Sequence, residues 1–307
     1  MADETLAGAG ACAGEGGPVR LGALEAGGTK MVLAVGLADG TILERESMPT
    51  TAPEDVVPKM AAWFAERGVA ALGVGAFGPT GVNPSSPSYG FVLDTPKAGW
   101  AGFDLRGELA RGVGVPVGYD TDVNAACLGE VTFGDARGLD TVLYLTVGTG
   151  VGAGVYVGGR LLHGMLHPEA GHVLVTPRAD DPAGSSCPFH PCCLEGRASG
   201  PAIEYRWGRP AAELADRPEV WDLEADYLAQ ALADYVLCYS PQRIILGGGV
   251  MHQERLFPPV REKVAGYLAG YLKTPELADM DSYIVPNSLD GCQGVLGCLE
   301  LARRALA

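Results

Sequence analysis

Basic residues are scarce. Lys and Arg number 22 against 37 Asp and Glu, for a net charge of -15. A broad basic face for nucleic acid or an anionic membrane is therefore excluded, although a local phosphate site made of backbone amides is not. Long apolar runs are missing too. None reaches the ~20 residues that span a bilayer, and the acidic start, with Asp3 and Glu4, lacks the basic region of a signal peptide. The expected setting is the cytoplasm, without a membrane or nucleic-acid partner. Charged side chains make up only 19% of the chain against 47% hydrophobic ones, which indicates a globular protein with a substantial core. Its 307 residues suit one large domain or two lobes.

What is plentiful is glycine, 45 residues of it. Two stretches place it between strand-like runs. Leu21–Glu25 and Met31–Val35 flank AGGTK (26–30), and a further strand follows at about 41–45. Thr141–Leu145 and Gly152–Tyr156 flank VGTGVG (147–152). Glycine admits close anion approach, and free amides with Thr hydroxyls can cradle phosphate. Neither stretch is a P-loop or a Rossmann fingerprint, and an ordinary hairpin turn explains each one alone. Between and beyond them the pattern alternates. Helices are expected over 53–66, 104–111, 121–130, 200–207, 210–215, 223–238, 254–272 and 291–306. Strands are expected over 71–77, 115–119, 160–162, 243–246 and 282–285. A strand meander with a Gly-rich turn followed by alternating strands and helices thus occurs twice, which predicts two related α/β lobes around a cleft. Residues 1–18 show no periodicity and are expected to be disordered.

Eight cysteines occur, and three of them cluster with a histidine. Cys187-x-x-His190-x-x-Cys193 has tetrahedral-zinc spacing, and His172 can supply a fourth ligand. Cys192 competes with Cys193, which the spacing favours. Four protein ligands close the site, so it reads as structural rather than hydrolytic. It would staple a Pro/Gly/Ser-rich loop and aim Glu169 and Glu195, carboxylates suited to a polyol, into a cleft. A polar loop with scattered cysteines is the plainer alternative. The other cysteines, Cys12, Cys127, Cys238, Cys292 and Cys298, read as core residues. Asp122 stands where a strand meets a helix and is the best candidate base, although local evidence favours a helix cap there. Gly247, Gly248 and Gly249 close an Ile/Leu strand and allow close approach of a flat ligand or a helix.

Taken together, these residues resemble the ROK family of sugar kinases and repressors over nearly all of 19–306. The motifs are LEAGGTK (24–30), LTVGTGVGAG (145–154), DTDVNAA (120–126), EAGH (169–172) and ILGGGV (245–250). GPTGVNPSSPSYG (78–90), TPKAGW (95–100) and CPFHPCCLEG (187–196) are most similar to the fructokinase branch. The resemblance implies a two-lobed, actin-like (ribonuclease-H-like) α/β fold. A small lobe would comprise 19–119 with the last helix, 291–307, and a large lobe 120–290 would carry the zinc loop, 163–197. It also implies ATP-dependent phosphorylation of the 6-hydroxyl of fructose, with Asp122 as base. Gly27, Gly28, Thr29, Thr146, Gly148, Thr149 and Gly150 would hold ATP phosphates and Mg²⁺, with Lys30 close by. Gly247–Gly249 would back the adenosine. Gly78, Pro79, Glu169, His172 and Glu195 would shape the sugar side, with Zn²⁺ held structurally nearby, and the enzyme would be a homodimer. Glu25 stands where many ROK kinases carry Asp. Thr121 stands where many glucokinases of the family carry Asn, which weakens a glucose assignment and leaves mannose and related hexoses, amino sugars included, as alternatives. A non-catalytic sugar sensor is the competing class. It is disfavoured by the acidic charge and by the short segment before the first motif.

Overall fold

The computed structural model describes residues 17–307. Most of the segment expected to be disordered, and Cys12 with it, lies outside the described residues.

The first sheet contains β1 (Leu21–Ala26), β2 (Lys30–Gly36), β3 (Ile42–Pro49), β4 (Ala71–Ala76) and β5 (Val117–Thr121), in the order β3-β2-β1-β4-β5. β1 to β3 form the antiparallel meander, and β4 and β5 run parallel to β1. The run 71–76 is buried at every position, as a strand covered on both faces must be. Two helices cover one face. α1 (Pro53–Glu66) opens on a proline with Glu54 and Asp55 in its first turn, and it buries Val56, Val57, Met60 and Phe64 against the sheet. α2 (Leu105–Val113) starts at Asp104, whose carboxylate accepts the Gly107 N–H at 2.8 Å, and ends at Gly114 in the left-handed region.

The second sheet repeats the plan. β6 (Thr141–Val147), β7 (Val151–Val157), β8 (Arg160–Leu161), β9 (Arg243–Gly247) and β10 (Ile284–Pro286) lie in the order β10-β9-β6-β7-β8. Read from the other edge, this is the first sheet's order again, with β6 and β7 standing where β1 and β2 stand. The helices are α3 (Asp122–Thr132), α4 (Leu194–Ala198), α5 (Gly200–Trp207), α6 (Pro218–Tyr239), α7 (Phe257–Leu268), the short α8 (Pro275–Ala278) and α9 (Met280–Tyr283), and α10 (Gln293–Ala305). Among the described residues no helix is long and apolar enough to cross a membrane.

Several boundaries differ from the sequence expectation. The strand expected at 115–119 begins at Val117, after Pro116, and runs on to Thr121, because Asp120 and Thr121 keep their pairing with Gly75 and Ala76. The helix expected at 254–272 is a short 3₁₀ turn followed by α7, and it stops at Leu268 because Ala269 turns left-handed. Residues 282 and 283 close a helical turn, so β10 starts only at Ile284. Residues 211–214 form a 3₁₀ turn, and α6 begins already at Pro218, where proline suits a first helical position. Cys127 and Cys298 are core residues as expected. Cys238 is exposed and Cys292 only half-buried, since both sit at the margins of apolar stretches.

α3 and α10 fill the space between the sheets. One core joins Ala23 and Ala34 of the first sheet with Val142, Tyr144 and Ile245 of the second through Val123, Leu128, Val295 and Leu299. The two helices meet backbone to backbone. A Cβ on Gly297 would lie 1.7 Å from the Ala125 carbonyl oxygen, and one on Gly129 would lie 2.2 Å from that of Gln293. In an ordinary helix interior, Gly to Ala gains about 1 kcal/mol. Here no rotamer relieves the clash, and overpacking costs about 1–3 kcal/mol or more. Gly297→Ala is expected to lower the midpoint of urea or thermal unfolding despite the better propensity. A variant as stable as the parent would show that the helices can separate freely.

Candidate active site

A cleft of ≈ 900 Å³ runs between the sheets, with Glu25, Lys30, Asp122, Thr146, Thr149 and Gly249 among its lining residues. One wall carries Glu25 and Lys30, which flank the β1–β2 turn. Gly27 is required there, because a Cβ would lie 2.8 Å from the Lys30 carbonyl oxygen. The turn's three carbonyls are all engaged. Gly27 O accepts the Thr50 hydroxyl at 2.8 Å, Thr29 O accepts the Thr50 N–H at 3.0 Å, and Gly28 O accepts the Lys97 ammonium. The amides of Gly28 and Thr29 have no protein acceptor among the described residues. That is the arrangement an anion needs.

The opposite wall is the β6–β7 turn. Gly148 N–H donates to Gly150 O at 2.9 Å, and Gly148 O accepts Gly200 N–H at 2.8 Å. Thr146 lies beside Gly247 in the parallel β6–β9 pairing, so the second turn and Gly247–Gly249 form one surface. Gly248 has φ +89°, and a Cβ there would lie 2.4 Å from Val147 O. At Gly249 a Cβ would meet nothing within 4 Å, and at Gly148 only the Gly249 nitrogen at 3.8 Å. Bare backbone beside open space is a cradle that a phosphate or a flat base can enter. Glu25, Thr146 and Thr149 supply hard oxygen donors in the same cleft, a donor set that fits Mg²⁺.

Asp122 sits at the start of α3, between these walls. The cap expected of it belongs to Thr121, whose hydroxyl accepts the Asn124 N–H at 3.0 Å. Thr121 is 1% exposed, so its hydroxyl is committed inside the protein. Asp122 becomes the first helical residue, and its carboxylate accepts the Val123 N–H at 2.8 Å. Burial raises its pKa to about 7. The negative charge of Glu25 pushes the same way, while the Val123 N–H and His167 oppose the shift. Asp120 braces the junction from beneath. Its carboxylate accepts the Thr121 N–H at 2.8 Å and the Asn124 amide at 2.6 Å, and it contacts His163 Nε2 at 2.8 Å.

The loop between β8 and α4 carries the metal candidates. His172, Cys187, His190 and Cys193 place one ligand atom each within 4.8 Å of one another. Cys187 Sγ lies 3.9 Å from His172 Nδ1 and 3.7 Å from His190 Nδ1, and Cys193 Sγ lies 3.7 Å from His172 Nδ1. A zinc tetrahedron with bonds of about 2.0–2.3 Å has edges of about 3.3–3.8 Å, so the donor set fits Zn²⁺. Cys192 is not in the group; its neighbour Cys193 is, and Cys193 also caps α4 by accepting the Gly196 N–H at 3.3 Å. The other ring nitrogen of His172, Nε2, lies 3.8 Å from Glu195 Oε1. Glu195 in turn accepts the Val151 N–H at 3.0 Å, so it leans on the second glycine turn. Glu169 pairs with His167 at 3.2 Å, and Gly78 lies beside both, with a built Cβ 4.0 Å from Glu169 Oε1. Pro79 follows through a cis peptide bond and accepts the Leu93 N–H at 2.9 Å.

The ROK family matches residues 21–305. The chain belongs to the ROK family. It is 48% identical to a putative fructokinase of Bacillus subtilis, over 93% of this chain and 96% of that one. It is 44% identical to a fructokinase of Pediococcus pentosaceus, over 93% and 98%. A ROK hexokinase from Thermus thermophilus superposes with TM-score 0.77 at 30% identity, covering 94% of this chain and 99% of that one. The two repeated sheets and the cleft between them are thus the two-lobed, actin-like α/β fold of ROK sugar kinases.

Three contributors to this ROK cleft escape sequence reasoning. His167 carries no spacing signal, yet it holds Glu169 and faces Asp122 electrostatically. His163 holds Asp120, from 43 residues away. Lys97 reaches the first turn from the long loop between β4 and α2. The matches at 78–90 and 95–100 pointed to that loop as part of the sugar side, but not to Lys97 within it.

The raised pKa of Asp122 has a stability consequence. The folded state binds a proton that the unfolded state has lost between pH ~4 and ~7, so the parent loses stability as pH rises through that window. Asp122→Asn removes this charge-burial cost. The variant is expected to gain on the parent between pH 4 and 7, by an order of a few kcal/mol at most, and to hold a constant margin above pH 7. Urea unfolding of both proteins across pH 4–8 reads the difference. A margin that does not change with pH would mean that Asp122 titrates normally.

Proposed function

We propose that this chain is an ATP-dependent fructokinase that transfers the γ-phosphoryl group to the 6-hydroxyl of D-fructose. The observation that carries the reading is a carboxylate poised near neutrality, Asp122, between two glycine turns in which the amides of Gly28, Thr29, Thr149 and Gly150 have no protein acceptor among the described residues, in a chain whose relatives at 44–48% identity bear the fructokinase name. A base works best when its pKa lies near the working pH, and Asp122 meets that condition. It accepts the proton of the 6-hydroxyl as that oxygen attacks the γ-phosphorus in line. Gly28, Thr29, Lys30, Thr146, Gly148, Thr149 and Gly150 bind the phosphates, and Gly247–Gly249 back the adenosine. Glu25, Thr146 and Thr149 would hold Mg²⁺, which when bound would neutralise charge on the phosphate oxygens. The protein's share is mainly positioning and electrostatics.

Gly78, Pro79, Glu169, His172 and Glu195 form the sugar side in this reading. His172, through Nδ1, with Cys187, His190 and Cys193 would hold Zn²⁺, and His172 Nε2 stays on the Glu195 side. Four protein ligands would make the metal structural. The first sheet with α10 acts as the small lobe, the remainder as the large lobe, and closure between them keeps water from the phosphate. On the resemblance alone we extend the reading to a homodimer in the cytoplasm.

A coupled ADP-release assay with Mg-ATP across fructose, mannose, glucose and N-acetylated hexosamines is the direct test. Fructose is expected to give the highest kcat/KM, and Asp122→Asn to cost about 10²–10⁴-fold in kcat. Preference for another hexose moves the specificity and keeps the chemistry; no turnover of any sugar favours a sensor. Elemental analysis tests the metal separately. About one zinc per chain is expected, and His190→Ala is expected to lower it together with the thermal midpoint. A zinc-free parent that is fully stable would remove the metal from the reading.

A further inference from the structure

Lys97 lies outside the residues assigned above, and its surroundings are unusual for a lysine. It is half-buried in a strongly acidic chain, yet among the described residues no carboxylate pairs with it. Its ammonium sits 5.5 Å from the centre of the Phe77 ring and donates to the Gly28 carbonyl, at the tip of the first glycine turn. An ammonium has three donors. A single neutral carbonyl takes up one of them, so the other two remain open to an anion.

The backbone that carries the side chain is held in place as well. Trp100, 1% exposed, donates its indole N–H to Thr51 O at 2.9 Å, and its backbone N–H to Lys97 O at 3.1 Å. The adjacent Thr50 is the residue that holds the Gly27 and Thr29 carbonyls. One short segment, Thr50 and Thr51, therefore anchors both the glycine turn and the stem of Lys97. The ammonium lies on the same turn as the two spare amides of Gly28 and Thr29. It comes from the 78–103 loop, which carries Gly78 and Pro79 of the sugar side.

We propose that Lys97 is a further substrate-contacting residue, whose ammonium binds the terminal phosphoryl group of ATP together with the Gly28 and Thr29 amides. In the free enzyme the Gly28 carbonyl occupies one of its donors. With ATP bound, the γ-phosphoryl oxygens supply the missing negative charge. Because Lys97 rides on the sugar-side loop, this contact ties phosphate positioning to the state of that loop. The inference rests on the phosphotransferase reading but not on the identity of the sugar.

Calorimetric binding of ADP and of a non-hydrolysable ATP analogue, to the parent and to Lys97→Met, tests it. Loss of one charge-assisted contact is expected to weaken the analogue about 10–100-fold. ADP, which lacks the γ-phosphoryl group, is expected to change by less than about twofold. Lys97→Arg, which keeps a cation on a similar stem, is expected to retain most of the preference for the analogue, and Lys97→Gln, which also removes the charge, serves in place of Lys97→Met if that variant does not fold. Equal losses for both nucleotides, or none, overturn the assignment and leave Lys97 a brace of the loop. A parent that binds neither nucleotide overturns the phosphotransferase reading along with it.

Discussion

The backbone of α3 rests on the backbone of α10 with no side chain between them. Gly129 and Gly297 make this possible, and Gly73 and Gly118 let α10 sit equally close on the first sheet, where a Cβ would lie 1.8 Å from Cys298 O and 2.4 Å from Leu301 O. A helix packed through side chains keeps its axis about 8–10 Å from its neighbour. Removing the side chains brings the two sheets toward one shared core. The start of α3 then falls between the two glycine turns. The same approach brings Gly294 of α10 against the Glu25 carboxylate, with a built Cβ 2.7 Å from its carbon. Asp122 is thus positioned by backbone contacts of α3 and α10 that only glycine allows, and Glu25 occupies the space that Gly294 leaves open.

Within the cleft, the recurring device is to occupy carbonyls and spare amides. Thr50 and Lys97 hold the oxygens of the first turn, and the second turn closes on itself and on Gly200. The result is positive partial charge along both walls without a broadly basic surface, which suits a chain carrying -15. Against those walls stands a carboxylate whose ionisation is held back by burial and by Glu25. The phosphate-facing groups are therefore fixed dipoles and a few cations, and the proton-accepting group is the one whose charge state is finely balanced.

The loop from 162 to 193 contains little regular structure, only a 3₁₀ turn at 170–172. Two thiols and two imidazoles converge in it, and the convergence fixes more than the loop. Cys193 is the cap of α4, and Glu195 stands in the first turn of that helix with its carboxylate on the Val151 N–H. A tie at His172, Cys187, His190 and Cys193 is therefore passed directly to the second glycine turn. Closure of a loop this long by a few side chains is the situation in which a metal contributes most, since the entropy lost is shared by four ligands at once.

Much was legible in the sequence because it is local. The hairpin glycines, the strands expected at 71–77 and 243–246, the 53–66 helix and the Cys-x-x-His-x-x-Cys spacing all follow from period, turn chemistry and reach along one stretch of chain. Asp122 at a strand–helix junction was legible for the same reason. What the sequence alone determined is the repeated α/β plan and the residue types of the site. Only the tertiary structure decided that Thr121 rather than Asp122 caps α3, that β5 extends through Asp120, and that Cys238 lies outside the core. It also decided that His163, His167 and Lys97 serve Asp120, Glu169 and Gly28. Those outcomes depend on which side chain reaches a group tens of residues away, and on how far neighbouring protein excludes water from it. Hydrophobic period and local propensity carry neither quantity, because both are set only when the two sheets close on α3 and α10.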